Sequence, residues 1–283
     1  MATLYLVATP IGNIEDITLR AIRVLGEVDL IAAEDTRVTR KLLSHYDIHT
    51  RSTSYHEHNR TAKLPVLLAT LDGGENVALV SDAGTPTVSD PGSELVQAAS
   101  ETGHNVVPIP GPSAITAAVA VSGLPTDEFV YVGFLPRRKA ERRRFLNSLA
   151  LEVRTLVVLE APHRLRASLT DAVSVLGDRR VAACREMTKL HEEVFRGTLS
   201  AALDHFEHPR GEFTLVIQGQ PSSGQPEAPG DAEEMIKNAR MLLERARSEG
   251  LSTTESVRGV ARETGIPRSD IYRLWVEGTP GSE

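Results

Sequence analysis

From residue 4 to about residue 218, short apolar runs rich in β-branched residues alternate with longer stretches whose apolar positions recur at helical spacing. Strands are predicted over residues 4–8, 30–33, 77–81 and 106–109, and helices over 18–25, 37–46, 90–102 and 113–121. This alternation is that of an α/β domain, residues 1–122. The segment SGLPTDE, 122–128, carries glycine and proline without periodicity and reads as a hinge. A second α/β domain, 123–219, follows, with strands over 129–133, 155–159, 181–184, 194–196 and 213–218 and helices over 137–149 and 163–175. Residues 220–230, QPSSGQPEAPG, are polar and proline-rich, the composition of a flexible tether. Residues 231–283 form a small helical module. A helix over 232–247 precedes a helix-turn-helix pattern, with Val257, Val260 and Ala261 inward, a turn at Gly265, Pro267 just inside the next helix, and Ile271, Leu274 and Trp275 inward.

Length agrees with this division, since 283 residues at roughly 150 per domain give about two domains and an appendage. Hydrophobic residues at 41% and charged residues at 24% exclude disordered and fibrous classes for the bulk of the chain. With 31 Lys and Arg against 38 Asp and Glu the net charge is −7, so a polyanion has to be met by a local basic patch. The single cysteine, Cys184, excludes an intramolecular disulfide and a Cys-type metal site, and suits a reducing cytoplasm. No apolar stretch approaches the ~18 residues of a membrane span, and no basic segment precedes the first strand as in an export signal. No membrane association is expected.

Candidate chemistry lies in the loops that follow the strands, where open α/β sheets bind ligands. TPIGN, 9–13, follows the first strand and lacks the GxGxxG dinucleotide fingerprint, and the chain has no GxxxxGK[ST] phosphate loop. SDAGTPTVSDPG, 81–92, places Asp82 at a strand end, with Gly84 and Pro86 shaping a turn and Asp90–Pro91 reading as a helix N-cap and first-turn proline. PIPGPSA, 108–114, stiffens the backbone before a helix of small residues opened by Ser113. Each loop alone can be a capped connection; together, rigid and almost without cations, they suit a nucleoside carrying a positive centre. AAEDTRVTRKLL, 32–43, and SYHEHNR, 54–60, gather Glu34, Asp35, Arg37, His56, Glu57 and His58. This group fits proton transfer or substrate contact, but equally a solvated surface with a helix cap and local ion pair. His56 and His58, on a strand, would share one face and could begin a metal site, yet no further ligand cluster accompanies them and no metal is expected.

The largest charge anomaly is RRKAERRR, 137–144, with six basic residues and one acidic. Either it is a solvated helix face, or Arg137, Arg138, Lys139, Arg142, Arg143 and Arg144 meet the phosphates of an RNA. Aromatic residues make up only 4% of the chain, so no base-stacking platform is evident. Residues 252–275 carry four Arg and three acidic residues, too little charge to define a DNA-binding module.

TPIGN, AAEDTRVTRKLL, SYHEHNR, SDAGTPTVSDPG, PGPSAITAAVAVSGLP, EAPHR (160–164), REMTKLHEE (185–193) and GEFTLVI (211–217), in this order and spacing, resemble the tetrapyrrole methylase superfamily, and within it the branch that acts on ribosomal RNA. The resemblance implies a two-domain class III methyltransferase fold with the helical module appended. It further implies a homodimer that binds S-adenosylmethionine between its domains and methylates the ribose 2′-oxygen of a cytidine in the decoding region of 16S rRNA. Matched position by position, the cofactor would be held by Ile11, Gly12, Asp82, Ala83, Gly84, Thr85, Ser113 and Ala114, and from the second domain by Glu160, Met187 and Phe213. Met187 stands where the family pattern has a smaller or branched aliphatic residue. His56 and Glu57, backed by Asp35, are the expected general bases. The competing readings are a tetrapyrrole or diphthine-type small-molecule methylase, which calls for neither the basic run nor the added module, and a nucleic-acid-binding regulator led by that module.

Overall fold

The computed structural model describes residues 2–220, 229–248, 250–264, 266 and 268–277. Its strands fall into two five-stranded sheets. The first contains β1 (Thr3–Val7), β2 (Leu30–Ala33), β3 (Ser52–Ser54), β4 (Val77–Val80) and β5 (Asn105–Ile109) in the order β3-β2-β4-β1-β5. Every pairing in it is parallel, so helices must cover both faces, and the inner strands β2 and β4 are buried at every position. Strand alternation splits the apolar residues cleanly. Val7, Ile31 and Val80 pack beneath α1 (Leu19–Glu27) and α2 (Thr36–His45), while Leu4, Leu30 and Leu79 pack beneath α3 (Arg60–Asp72) and α4 (Ser93–Glu101).

Two elements here escape the sequence pattern. β3 is Ser-Thr-Ser, with no apolar residue to announce it, and α3 contains Pro65, which interrupts a helical reading. A third feature corrects it: α4 begins at Ser93, not at an Asp90 cap. Gly92 precedes it at φ +135°, a conformation that favours glycine, and a Cβ there would meet Leu79 Cδ2 at 2.6 Å. The backbone therefore turns sharply at Gly92, and Asp90 is released from capping.

The second sheet contains β6 (Phe129–Phe134), β7 (Thr155–Glu160), β8 (Arg180–Arg185), β9 (Glu193–Thr198) and β10 (Phe213–Ile217), in the order β6-β7-β10-β8-β9. Only β6 and β7 run parallel; the other three pairings are antiparallel. One face carries the core beneath α6 (Lys139–Ser148), α7 (Pro162–Leu176) and α8 (Leu199–His205), with Leu146, Leu156, Leu165, Leu169 and Leu215 at its centre. The opposite face is met by α5 (Ala114–Ser122), whose Ala118 packs with Leu124 onto Ala182, Cys184 and Val216. The small residues of α5 thus let a helix that follows the first sheet press closely on the second.

β6 carries a bulge. Tyr131 pairs with Val157 and Gly133 with Val158, leaving Val132 extra, and Phe134 pairs with Leu159. The inserted residue turns Phe134 onto the same face as Tyr131.

At the C-terminal end α9 (Pro229–Ser248), α10 (Thr253–Thr264) and α11 (Arg268–Glu277) bury Ala239, Leu243, Val257, Val260 and Ile271, with Ala261, Leu274 and Trp275 packed around them. This is the inward set that the helix-turn-helix spacing predicts. Gly265, Pro267 and residues 221–228 of the expected tether lie outside the described residues. No helix among the described residues is long and apolar enough to cross a membrane.

Candidate active site

The carboxyl ends of the first sheet's strands open onto the second sheet across a cleft of about 590 Å³. Parallel α/β sheets place ligand sites at this edge because the loops there are free to vary. Ile11, Glu34, the 82–85 and 88–90 segments and Ser113–Thr116 line it from the first side; Tyr131, Phe134, Leu159–Pro162, Cys184, Met187 and Glu212–Thr214 line it from the second.

The first wall is held by backbone contacts. Thr9 and Gly84 exchange N–H···O bonds of 2.9 and 3.0 Å, and the Thr9 hydroxyl donates to the Ser81 carbonyl at 3.0 Å, tying the TPIGN loop to SDAGTP. Gly84 stands at φ +79°, and Thr87 and Ser89 at +73° and +65°; for a β-branched residue such as Thr87 this is a strained conformation. The ends of β2 and β4 are latched reciprocally. The Asp35 N–H donates to Asp82 Oδ1 at 3.0 Å, and the Asp82 N–H donates to Glu34 Oε2 at 3.2 Å. Ser89 then reaches across to the second wall, its Oγ 2.6 Å from the Tyr131 hydroxyl.

The lining is acidic. Glu34, Asp82, Asp90, Glu160 and Glu212 line the cleft with no Lys, Arg or His among its described residues, while Arg164 and Lys189 meet Glu160 and Glu212 from behind the wall. Burial raises the acids of Glu34 and Asp82 above their ordinary values. Asp90 is pushed up to about 6, chiefly by burial and further by the charges of Glu34 and Asp82. Burial also pushes the Cys184 thiol up to about 11, so it forms a neutral stretch of wall rather than a nucleophile. Among the described residues no group of three or more His, Cys, Asp or Glu is placed to hold a metal ion.

Ile11, Asp82, Ala83, Gly84, Thr85, Ser113, Ala114, Glu160, Met187 and Phe213 all come together on this cleft. Gly12 does not: it lines an adjoining cavity of about 360 Å³. A Cβ on it would lie 2.5 Å from Lys189 Cγ and 3.0 Å from the Met187 carbonyl, so it is packed against the β8–β9 connection. Glu160 is at the cleft, but its carboxylate is fully buried and accepts from Ser168 Oγ and the Ala161 N–H, with Arg164 Nε at 3.3 Å. It braces the β7–α7 corner.

The expected bases fare differently. None of His56, Glu57 and Asp35 lines the cleft. Asp35 caps α2, accepting from the Arg37 N–H at 2.8 Å and pairing with its guanidinium at 2.6 Å, which holds its acid down at about 2; a carboxylate so engaged is a poor proton acceptor. Glu57 is exposed and paired with Arg60 at 3.0 Å. His56 and His58 lie in a turn after β3, not on a strand; their rings meet edge-on at 6.0 Å, and His56 Nδ1 is buried without a hydrogen-bond partner in the described structure. In their place the structure brings Glu34 and Asp90 into the cleft. Glu34 was legible as an acid at a strand end; Asp90 was obscured by the Asp-Pro cap pattern.

The basic run also divides. Arg142 is only 5% exposed, its guanidinium 2.6 Å from the buried Asp171, and it donates to the carbonyls of Pro136 and Arg137. Arg143 shares Asp171 at 3.4 Å and bonds Ser174. Arg138 pairs with Glu141 at 3.3 Å. Arg142 is therefore a framework cation, and the expectation that it meets RNA is corrected by an acid one helix away that the linear charge count ignores; Arg143 shares that acid from the surface, its side chain 41% exposed. Arg137, Lys139 and Arg144 are exposed and have no ion-pair partner among the described residues.

A two-sheet α/β chain with an acidic cleft at its strand ends has the layout of a small-ligand site. Residues 3–203 match the tetrapyrrole (corrin/porphyrin) methylases, and the chain belongs to that family. It is 50% identical over 280 residues to ribosomal RNA small subunit methyltransferase I of Synechocystis sp., covering 98% of each chain. It is 43% identical to the Bacillus subtilis protein of the same name (96% of this chain, 93% of that one) and 48% identical to that of Escherichia coli O157:H7 (97% and 94%). Its fold is similar to that of uroporphyrin-III C-methyltransferase from Thermus thermophilus, with TM-score 0.55 and 22% identity over 76% of this chain and 94% of that one. It is likewise similar to a diphthine synthase, with TM-score 0.60 and 14% identity over 77% and 90%. The chain is a methyltransferase.

Proposed function

We propose that the protein transfers a methyl group from S-adenosylmethionine to the 2′-hydroxyl of a cytidine ribose in the 16S rRNA of the small ribosomal subunit, acting as a cytoplasmic homodimer. The observation that carries this reading is the acidic cleft free of cationic side chains, in a chain half identical, along nearly its whole length, to a relative named for small-subunit rRNA methylation.

The residues present fit the cofactor. S-adenosylmethionine bears a sulfonium and an ammonium, and Glu34 and Asp82 face the cleft without an ion-pair partner of their own, the nearby Arg37 being engaged by Asp35. The cleft volume is that of sites for ligands of this size. The backbone of Ala83–Thr85 and Ser113–Ala114 would hold its adenosine, with Leu159, Met187 and Phe213 as the apolar wall. When bound, S-adenosylmethionine supplies an electrophilic methyl carbon.

The chain's own work is alignment and proton removal. Fixing two reactants in line is worth up to roughly 7–11 kcal/mol, and the strained, backbone-latched first wall is rigid in the way this requires. A ribose hydroxyl is a weak nucleophile, and a base adds about 10²- to 10⁴-fold when its acid titrates near working pH. Asp90, at about 6, accepts the hydroxyl proton on a carboxylate oxygen, and Glu34 beside it keeps its acid raised.

The test is methyl incorporation from labelled S-adenosylmethionine into small subunits isolated from a strain lacking the modification, followed by nuclease digestion and mass spectrometry. One 2′-O-methylcytidine per subunit is expected. No incorporation, or label on a base, overturns the reading. Light scattering should give twice the 30.7 kDa chain mass; a monomer overturns the homodimer.

A further inference from the structure

Beside the acidic cleft lies a second cavity, of about 740 Å³, whose lining is of the opposite kind: Phe134, Leu135, Pro136, Arg137, Ala161, His163 and Arg164. Phe134 and Ala161 line both cavities, so the two adjoin across the Phe134 ring. Phe134 is 52% exposed, an aromatic side chain left in solvent at the end of a strand. Its position has a structural cause. The bulge at Val132 puts it on the Tyr131 face rather than in the core, and Gly133, at φ +68°, allows the turn. Bulges near active sites commonly re-aim one side chain.

Arg137 and His163 are exposed at this cavity, and Arg137 has no ion-pair partner among the described residues. Arg164 is committed elsewhere, donating to the Leu135 carbonyl and facing Glu160, so it shapes the wall. α7 opens here without a side-chain cap, so the Arg137 guanidinium and the His163 ring stand at the partly positive start of a helix.

Resting on the RNA reading above, we infer that this cavity docks the target nucleotide, its base stacked on the Phe134 ring and a neighbouring phosphate held by Arg137 and His163. Sequence-tolerant binding of an unstacked base needs an exposed aromatic face beside a cation for the backbone, and single-stranded or splayed RNA is recognised in this way. Phe134 at the boundary of the two cavities places a stacked nucleoside with its sugar toward the acidic cleft, the side from which methyl transfer takes place. The scarcity of aromatics in the chain concealed the platform, because one ring, correctly aimed, suffices.

The experiment compares wild type, Phe134→Leu, Phe134→Trp and the double variant Arg137→Gln/His163→Gln. It uses small subunits lacking the modification as substrate, with S-adenosylmethionine affinity measured calorimetrically on the same preparations. Phe134→Leu should lose about 10- to 100-fold in kcat/KM for subunits, Phe134→Trp should recover most of that loss, and any weakening of cofactor Kd should be several-fold smaller than the fall in kcat/KM. The double variant should flatten the salt dependence of subunit binding. Full activity in Phe134→Leu, or a Phe134→Trp no better than Phe134→Leu, or a cofactor Kd that weakens as much as kcat/KM falls, overturns the stacking role while wild type still methylates RNA. A wild type that methylates no subunits removes the RNA reading itself, and this inference with it.

Discussion

The two walls of the cleft are built by different means. The wall from the parallel sheet is backbone: reciprocal amide bonds, positive-φ residues and prolines, with carboxylates as its charges. The wall from the mixed sheet is side chain: Tyr131, Phe134, Leu159, Met187 and Phe213, with cations just outside it. A ligand used in every turnover is best met by groups that cannot move, whereas a large substrate that must arrive and leave is met by an exposed ring and solvated charges. The contrast teaches that composition alone misplaces function here, since part of the chain's strongest charge run is framework.

The largest expected effect tests the acidic wall. Asp90→Asn should lower kcat by about 10²- to 10⁴-fold and remove the acid limb near pH 6 from the pH profile of kcat/KM. A variant with unchanged kcat would move the base elsewhere. Next comes the hidden half of the basic run. Arg142→Ala leaves the buried Asp171 with only the longer contact to Arg143 and should cost about 3 kcal/mol in denaturant unfolding; Arg144→Ala should stay within about 0.5 kcal/mol. Equal losses would abolish the division drawn between them. Smaller again, Lys139→Ala and Arg144→Ala should each reduce the log–log salt slope of subunit binding by about 0.7–0.9, with cofactor affinity unaltered.

The smallest effect is a pH-dependent one at Asp90, whose acid titrates at about 6 in the folded chain against an ordinary 3.8. An acid raised by folding binds its proton more tightly in the folded state, so its contribution to stability is complete below pH ~4 and is lost as pH rises through ~6. Asp90→Asn should therefore stabilise at pH 8, by on the order of 1 kcal/mol once solvent access is discounted, and leave stability at pH 4 unchanged. A gain at both values would assign the effect to packing.

Much of this was legible in the chain. Apolar periodicity marks nine of the ten strands, because buried parallel strands such as Leu30–Ala33 and Val77–Val80 are continuous apolar runs; β3, being Ser-Thr-Ser, has no such mark. Loops after strands identify Asp82–Thr85 and Ser113–Ala114, since fold class fixes where ligands meet a parallel sheet. What sequence conceals is depth and direction. Nothing local shows that Arg142 points at Asp171, or that one extra residue in β6 swings Phe134 outward. Those facts depend on tertiary pairing between segments some 30 residues or fewer apart, beyond the reach of periodicity.

The packing of α5 on the second sheet changes what the 122–128 segment connects. The glycine and proline of 122–128 look like the pivot, but they lie beyond a helix already fastened to the second half. The link between β5 and that helix is Pro110–Pro112, where two ring-locked torsions flank Gly111 and a Cβ on that glycine would stand 3.0 Å from Ala8 Cβ. With so few free torsions in that link, the spacing of the two cleft walls is set largely by the backbone itself.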